Sequence, residues 1–377
     1  MKKTLLLFLV SLNVQLFAID HTTTITSGSI SRGFVLHSSA TTLATIPLNL
    51  PLFIVMHGDG GNGAGMKSGT NFDAVANANN FIVVYPNAVN GSWNRYIDNV
   101  AGDAGLGNPN APDDVAFISD LIDYFCTTYK INRNKVYATG HSAGGFMAYN
   151  LGLQLQNKIA AIAPVAGSLW GENSFVTQKF TTGYVPIPLY HVHGDDDNTV
   201  TYPDTNHSPV AWQEWPLSGF SNANCGTNTY NATTTTITPN VKQLDFCSTN
   251  KKVQLIRIIG GGHNWPNVAG YDCASAISQF CLAYSLNIPE SCAPALSNND
   301  FDVSNDKIAV YPNPNNGNFD IQTLEKFKEI QIFDISGKQI KNEINQNSIN
   351  IDVQNGIYIL KCTFENGEII HKKLIIK

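Results

Sequence analysis

The chain has 377 residues, more than one ordinary domain needs and enough for a large domain with a small appendage. Charged residues make up 14% and the formal net charge is -6, so the surface is polar mainly through its Thr, Asn and Ser. No long Lys/Arg run is present, which removes the electrostatic footprint of a nucleic-acid binder and excludes nucleic acid as an expected partner.

The first residues, Met1-Lys2-Lys3, precede an apolar stretch over 5–10 that continues through Leu12 and Leu16-Phe17-Ala18. This is the layout of an export signal over 1–18, with cleavage expected near Ala18. Ser11, Asn13 and Gln15 interrupt the run, which is shorter than the ~20 residues that span a bilayer, so no transmembrane segment is expected.

From about residue 31 to 284, short apolar strands alternate with amphipathic helices, the pattern of a mostly parallel sheet covered on both faces. Strands are expected at 51–56, 81–85, 135–139, 159–165, 187–192 and 253–259, each an apolar run bounded by Gly, Pro, Asn or Asp. Helices fit between them at 113–129 and 143–155, with apolar stripes such as Val115, Ile118, Leu121, Ile122 and Phe125. The expected class is therefore α/β, with a catalytic domain over 19–292.

Residues 293–307 turn to Ser, Asn and Asp and read as a linker. Beyond them, short alternating runs at 329–333, 348–351 and 357–362, separated by Asn/Gly turns, suggest a small all-β sandwich over 308–377.

Export permits disulfides, and the seven cysteines leave at least one unpaired. No Cys-x-x-Cys occurs, so no structural metal site is expected. The segment between Cys225 and Cys247 is Thr- and Asn-rich with little apolar content, so a bridge there would offset much of its chain entropy. Cys126, inside a helical pattern, reads as a buried thiol. Spacing leaves the pairing of Cys273, Cys281 and Cys292 open.

The chemistry centres on Gly140-His141-Ser142-Ala143-Gly144-Gly145, directly after one expected strand and before a helix. A serine between closely spaced glycines in that context is a nucleophile elbow, which lifts the Ser142 hydroxyl above the sheet at a helix N-terminus. A serine hydroxyl needs a histidine base oriented by a carboxylate, and in this fold the order along the chain is Ser, acid, His. The next expected strand ends in His193-Gly194-Asp195-Asp196-Asp197, which puts carboxylates at the edge where α/β sites assemble. Asp197 is preferred and Asp195 is the runner-up, with His193 orienting the loop. Of the nine histidines, His263 alone follows at the end of a further strand, in Gly260-Gly261-Gly262-His263-Asn264-Trp265-Pro266, and is the expected base; His207 is the fallback.

An oxyanion needs donors. The loop His57-Gly58-Asp59-Gly60-Gly61-Asn62-Gly63 follows the first strand, so the backbone amides of Asp59 and Ala143 are the expected hole. These glycines lack Gly-Lys-Ser/Thr and Rossmann spacing, so no nucleotide cofactor is implied. Trp93, Trp170 and Trp265 offer flat apolar faces for substrate; Trp265 is favoured for its nearness to His263, then Trp93.

Several segments carry a family resemblance. Ala111-Pro112-Asp113-Asp114-Val115-Ala116-Phe117-Ile118, Val136-Tyr137-Ala138-Thr139-Gly140, Ala161-Ile162-Ala163-Pro164-Val165-Ala166-Gly167 and the Gly-His-Asn-Trp-Pro around His263 resemble the secreted polyhydroxybutyrate depolymerase and feruloyl esterase group of α/β-hydrolases. The resemblance implies an aspartate three positions after His-Gly, followed by Val and Tyr, which matches Asp197, Val200 and Tyr202. It also implies two cysteines at positions matching Cys225 and Cys247. Residues 170–183 and 228–239 match no pattern of the group and are taken as loops rimming the cleft, so the resemblance does not choose among aliphatic polyesters, feruloyl or acetyl esters of plant polysaccharide, and aromatic polyesters such as poly(ethylene terephthalate).

The C-terminal segment resembles the sorting domain of the type IX secretion system through Val310-Tyr311-Pro312-Asn313-Pro314, Gly317, Phe319, Asp334-Ile335-Ser336-Gly337-Lys338, Gly356-Ile357-Tyr358 and Lys372-Lys373-Leu374-Ile375-Ile376-Lys377. This implies the secretion machinery as a partner and an extracellular or cell-surface enzyme. The expected function is a secreted serine esterase on polymeric or small esters. A peptidase or lipase on the same scaffold would carry a cap domain or a longer lid, and a cell-surface binding module has no need of Ser142, Asp197 and His263 together.

Overall fold

In the computed structural model the described residues are 18–95, 112–170, 179–180, 183–202, 214–226, 232–247, 251–288, 308–311, 313, 315–323, 326–334, 337–343, 346–365 and 369–376. Residues 1–17 of the expected export signal, His207, Cys292 and the expected linker 293–307 lie outside them. Two compact units divide the chain, Met1–Ala293 and Pro294–Lys377.

The first unit opens on an antiparallel hairpin, β1 (Ile19–Ser27) and β2 (Ile30–Ser38), that pairs onto the edge of the main sheet. β3 (Leu52–Met56), β4 (Ile82–Pro86), β5 (Val136–His141), β6 (Ala161–Val165) and β7 (Leu189–Gly194) follow, then β8 (Thr233–Thr238), β9 (Val241–Cys247) and β10 (Val253–Ile258). The ten strands run β1-β2-β4-β3-β5-β6-β7-β10-β9-β8. Neighbours from β4 through β10 pair in parallel, and the outer pairs are antiparallel. This is the mostly parallel sheet of an α/β-hydrolase. Strands β3, β4 and β6 are buried at every residue, because a parallel strand covered on both faces must be apolar throughout.

Helices α1 (Gly63–Gly69), α2 (Phe72–Asn79), α3 (Asp114–Tyr129), α4 (Ala143–Gln154), α5 (Glu214–Cys225) and α6 (Cys273–Leu282) accompany the sheet. The start of α3 is fixed by Asp113, whose carboxylate accepts from the Ala116 amide at 2.8 Å, and its end by Lys130 in the left-handed conformation. Asp114 turns inward instead. Its carboxylate accepts from Arg32 and from the Asn94 amide, tying α3 to β2 and to the segment after β4. Among the described residues no helix is long and apolar enough to cross a membrane.

Two expectations fail here. Within the Thr-rich stretch expected as a loop rimming the cleft, Thr233–Thr238 is instead β8, the exposed outermost strand at one end of the sheet. Cys126 is disulfide-bonded rather than a thiol. Cys225, at the end of α5, is bridged to Cys247, at the end of β9, with Cα atoms 5.9 Å apart. Cys273, Cys281 and Cys362 are free and buried.

In the second unit, β13 (Ala309–Tyr311), β14 (Asn318–Gln322) and β17 (Ser348–Asn350) form one sheet, and β15 (Phe327–Asp334), β16 (Gln339–Glu343), β18 (Gly356–Phe364) and β19 (Ile369–Ile376) another; the two-stranded β11 (Asn267–Val268) and β12 (Tyr271–Asp272) belong to the first unit. Phe319, Ile330, Leu360 and Leu374 share one core. Asn313 clamps the last strand, donating to the Lys373 carbonyl and accepting from the Ile375 amide. Gly317 has φ of 95°, and a Cβ there would lie 2.2 Å from the Ile351 carbonyl oxygen, so only glycine fits.

Candidate active site

Ser142 sits between β5 and α4 with φ 53° and ψ -119°, a backbone conformation costing about 1–3 kcal/mol for a residue with a side chain. The turn can be made only because its neighbours are bare. A Cβ on Gly140 would lie 2.6 Å from the Met56 carbonyl oxygen, and one on Gly144 2.3 Å from the same atom. The Ser142 amide is held by the Val165 carbonyl at 2.9 Å, and its own carbonyl starts α4 by accepting from Gly145 and Phe146.

His263 Nε2 lies 2.8 Å from Ser142 Oγ, and His263 Nδ1 lies 2.7 Å from Asp197 Oδ2. A carboxylate only accepts, so Nδ1 carries the proton and Nε2 is left to accept from the serine hydroxyl. Asp197 is held from four directions: its Oδ1 accepts from the amides of Thr199 and Val200, both at 2.9 Å, and its Oδ2 faces His263 and His193 Nε2, the latter at 3.2 Å. Burial alone would raise the Asp197 pKa, but these donors outweigh it and hold the carboxyl well below the usual carboxylate range. Asp195 is engaged elsewhere, accepting from Arg257 Nε at 2.7 Å and from the Gly260 amide at 2.6 Å, so it anchors the base of the His263 loop.

The loop after β3 is organised by His57. Its Nε2 accepts from the Ala88 amide at 3.0 Å, which leaves the proton on Nδ1 to be donated to the Gly58 carbonyl at 2.7 Å. That carbonyl also accepts from Gly61. In a planar trans peptide the C=O and N–H point to opposite sides, so the Asp59 amide is turned away from His57. Gly58 itself packs on Ser142, with an added Cβ only 3.3 Å from Ser142 Cβ. Ala143 is the first residue of α4, where an amide has no carbonyl one turn earlier to bond. The Asp59 side chain takes a hydrogen bond from Ser92 Oγ and an ion pair from Arg95, each at 2.9 Å.

Residues 49–208 match the phospholipase/carboxylesterase family. Residues 309–377 match the secretion system C-terminal sorting domain, which marks the chain for an extracellular or cell-surface location. Over 156 residues the chain is 31% identical to the bifunctional acetylxylan esterase/xylanase XynS20E of Neocallimastix patriciarum, covering 41% of this chain and 20% of the relative. Over 181 residues it is 26% identical to the poly(3-hydroxyalkanoate) depolymerase C of Paucimonas lemoignei, covering 48% of this chain and 38% of the relative. The chain thus spans less than half the length of these curated relatives. The solved acetyl xylan esterase from Aspergillus awamori shares the fold at a TM-score of 0.52 and 16% identity, over 70% of this chain and 99% of that one.

The tryptophans of the first unit divide differently from the expectation. Trp93 is no surface for substrate. Only 3% exposed, it packs tilted against the His57 ring, centroids 5.1 Å apart, and donates its Nε1–H to the His57 carbonyl. Trp170 is half-buried, with its ring 4.9 Å from Phe146 and 4.7 Å from the Arg95 guanidinium, beside the Asp59 carboxylate. Trp265 is half-buried against Phe72 and lines a cavity of about 620 Å³ whose walls do not include Ser142 or His263. Among the described residues one group has metal-ligand spacing, Asp20, His37 and Asp73, and the Lys67 ammonium already pairs both its carboxylates at 2.9 and 2.6 Å. His57, Tyr149 and His191 went unread in the sequence; the His-Val-His alternation of β7, which puts His191 and His193 on one face, is the signal that could have found the last of these.

Proposed function

We propose that this exported protein is a serine hydrolase of carboxylic esters, working through an acyl-enzyme on Ser142. The observation that carries the reading is the unbroken line Ser142–His263–Asp197, with both links within hydrogen-bond distance. Ser142 Oγ attacks the ester carbonyl while His263 Nε2 takes its proton. The tetrahedral oxyanion is met by the amides of Asp59 and Ala143, donors worth ~3 kcal/mol each in sites of this kind. As the C–O bond breaks, His263 returns the proton to the departing alcohol, leaving the acyl group on Ser142. Water then attacks with His263 as base, and the carboxylic acid leaves as Ser142 is reprotonated. Asp197, kept anionic by its four donors, holds the Nδ1 tautomer and stabilises the imidazolium at each stage.

The substrate is proposed to be an ester carried by an insoluble polymer outside the cell. The likeness to a poly(3-hydroxyalkanoate) depolymerase supports an aliphatic polyester, with Trp170 as an aromatic wall. The likeness to an acetylxylan esterase favours a second reading, an acyl decoration on polysaccharide. The secretion machinery is the proposed protein partner, through residues 309–377. The test is acid release from suspended poly(3-hydroxybutyrate), acetylated xylan, methyl ferulate and poly(ethylene terephthalate), with Ser142→Ala as the blank. Release from a polyester alone supports the first substrate, release from xylan or ferulate alone supports the second, and activity persisting in the blank sinks the serine mechanism.

A further inference from the structure

Three buried side chains outside the Ser142–His263–Asp197 line complete a circuit with it. Tyr149 Oη lies 2.5 Å from His191 Nδ1, His191 Nε2 lies 2.7 Å from His193 Nδ1, and His193 Nε2 lies 2.7 Å from the Val200 carbonyl and 3.2 Å from Asp197 Oδ2. The direction of every proton follows from the last link. A carbonyl and a carboxylate only accept, so His193 carries its proton on Nε2 and accepts on Nδ1. His191 must therefore donate from Nε2 and accept on Nδ1, and Tyr149 donates. None of the three is exposed beyond 2%, and the two imidazoles stack with ring planes 2° apart and centroids 5.0 Å apart. Burial drives the His191 pKa well below its ordinary value and that of Tyr149 well above, in keeping with a singly protonated ring and an intact phenol.

Such a chain is costly to bury unless each member is satisfied, and its two ends are informative. Tyr149 stands seven residues after Ser142 on α4, two turns along the same helix face. The other end is the carboxylate that faces His263. The hydrogen-bonded line thus leaves the helix of the nucleophile, crosses β7, passes through the Asp197 loop and the His263 loop, and returns to Ser142. The edge-on contact of Tyr202 with His193, at 5.9 Å, and the Arg257 guanidinium over the Tyr202 ring, at 5.5 Å, close the outer side.

We propose that Tyr149, His191 and His193 are positioning residues for the hydrolytic reaction: a directed hydrogen-bond relay that fixes the Asp197 carboxylate, and through it His263, relative to the helix that carries Ser142. The proposal rests on the reading of Ser142, His263 and Asp197 as the catalytic set. Without the His193 donor, Oδ2 is held by His263 alone while Oδ1 keeps the Thr199 and Val200 amides, so the carboxylate loses one of its four restraints and gains play on the side that faces His263. His263 then loses its fixed aim while the surfaces that bind substrate are untouched.

The test uses the full-length protein, p-nitrophenyl acetate as the probe ester, and circular dichroism to select folded variants. His193→Phe is expected to lower kcat by about 10²-fold, the scale of an ångström-level misplacement, with KM within about twofold of the parent. His193→Gln, which keeps an N–H near the place of Nε2, is expected to recover most of that loss. Tyr149→Phe, which removes only the remote hydroxyl, is expected to lower kcat less, again at constant KM, and supplies the reading if His193→Phe does not fold. An unchanged kcat in His193→Phe or Tyr149→Phe, or a His193→Gln no better than His193→Phe, overturns the relay. Ser142→Ala, run alongside, separates the two claims, because activity surviving there overturns the catalytic set itself.

Discussion

Gly194, the last residue of β7, lies so close to Gly261 in the loop after β10 that a Cβ on Gly194 would sit 2.2 Å from the Gly261 carbonyl oxygen. That carbonyl is not free to withdraw, because it accepts from the Asp196 amide at 2.9 Å, while the Asp195 amide holds the Ile258 carbonyl at 3.0 Å. The Asp197 loop and the His263 loop are therefore joined backbone to backbone. Gly194→Ala must push them apart. The expected outcome is a fall in kcat of about 10²-fold with little change in KM, accompanied by a lower Tm. Steady-state kinetics on a soluble ester together with thermal unfolding check it, and a variant with parental kcat would show that the junction does not set the His263 to Asp197 distance.

Asp197→Asn tests the tautomer assignment. Two backbone amides point at Oδ1, so the carboxamide oxygen must occupy that side and the NH₂ must face His263 and His193. Donor then meets donor. The His263 ring is driven to carry its proton on Nε2, where it can no longer accept from Ser142, and kcat is expected to fall by about 10⁴-fold. Single-turnover acylation is the informative measurement, since the lost step is proton removal from the serine; a loss confined to deacylation would contradict the assignment.

His57→Ala removes the group that fixes the peptide between Gly58 and Asp59. It frees the Gly58 carbonyl to turn inward and leaves the Ala88 amide without the Nε2 acceptor. If the Asp59 amide is an oxyanion donor, kcat is expected to fall by about 10²-fold or more at nearly constant KM. Comparison of kinetics with Tm across His57→Ala and His57→Gln distinguishes this from simple loosening, because stability falls with both whereas Gln retains a donor that can reach the Gly58 carbonyl.

The parts of the molecule legible in the sequence are those where one physical rule dominates. Strands β3 through β7 are short apolar runs bounded by turn residues, because a parallel strand buried on both faces tolerates nothing else, and their positions follow to within a few residues. The elbow was legible because Gly140 and Gly144 are sterically obligatory around Ser142. The outer strands were harder. β1 carries only Ile19 and Ile25 as apolar residues among Asp, His, Thr and Ser, and β8 is four threonines, an isoleucine and a threonine with nearly every side chain exposed, so neither shows the burial signal that marks the centre of the sheet. Trp93 illustrates a different gap. Its flat ring suggested a ligand surface, whereas its N–H binds a backbone carbonyl deep in the core, and which of the two a tryptophan does depends on tertiary neighbours that local sequence does not contain. The same holds for Cys126, where a helical pattern gives no sign that the sulfur is disulfide-bonded.

His141, between the elbow glycine and Ser142, makes stability depend on pH in a definite direction. Burial, then the neighbouring charge of His263, whose ring lies 5.0 Å away, lower its pKa to about 4, and its Nε2 is buried without a partner among the described residues. In the unfolded chain the group titrates near its ordinary value of about 6.5. Between these values the unfolded chain takes up a proton that the folded protein refuses, so this contribution is fully present above about pH 6.5 and is lost as pH falls towards 4, by roughly 3 kcal/mol in all. His57 and His191, whose pKa values burial also lowers, act in the same sense, whereas the depressed Asp197 yields its share only in more acidic solution. Urea unfolding at pH 7 and pH 4 is therefore expected to show a large acid loss in the parent and a smaller one in His141→Gln, which has no proton to gain. Equal losses in the two proteins would mean that His141 is protonated in the folded state and that the floor of the Ser142 site is not as dry as its burial implies.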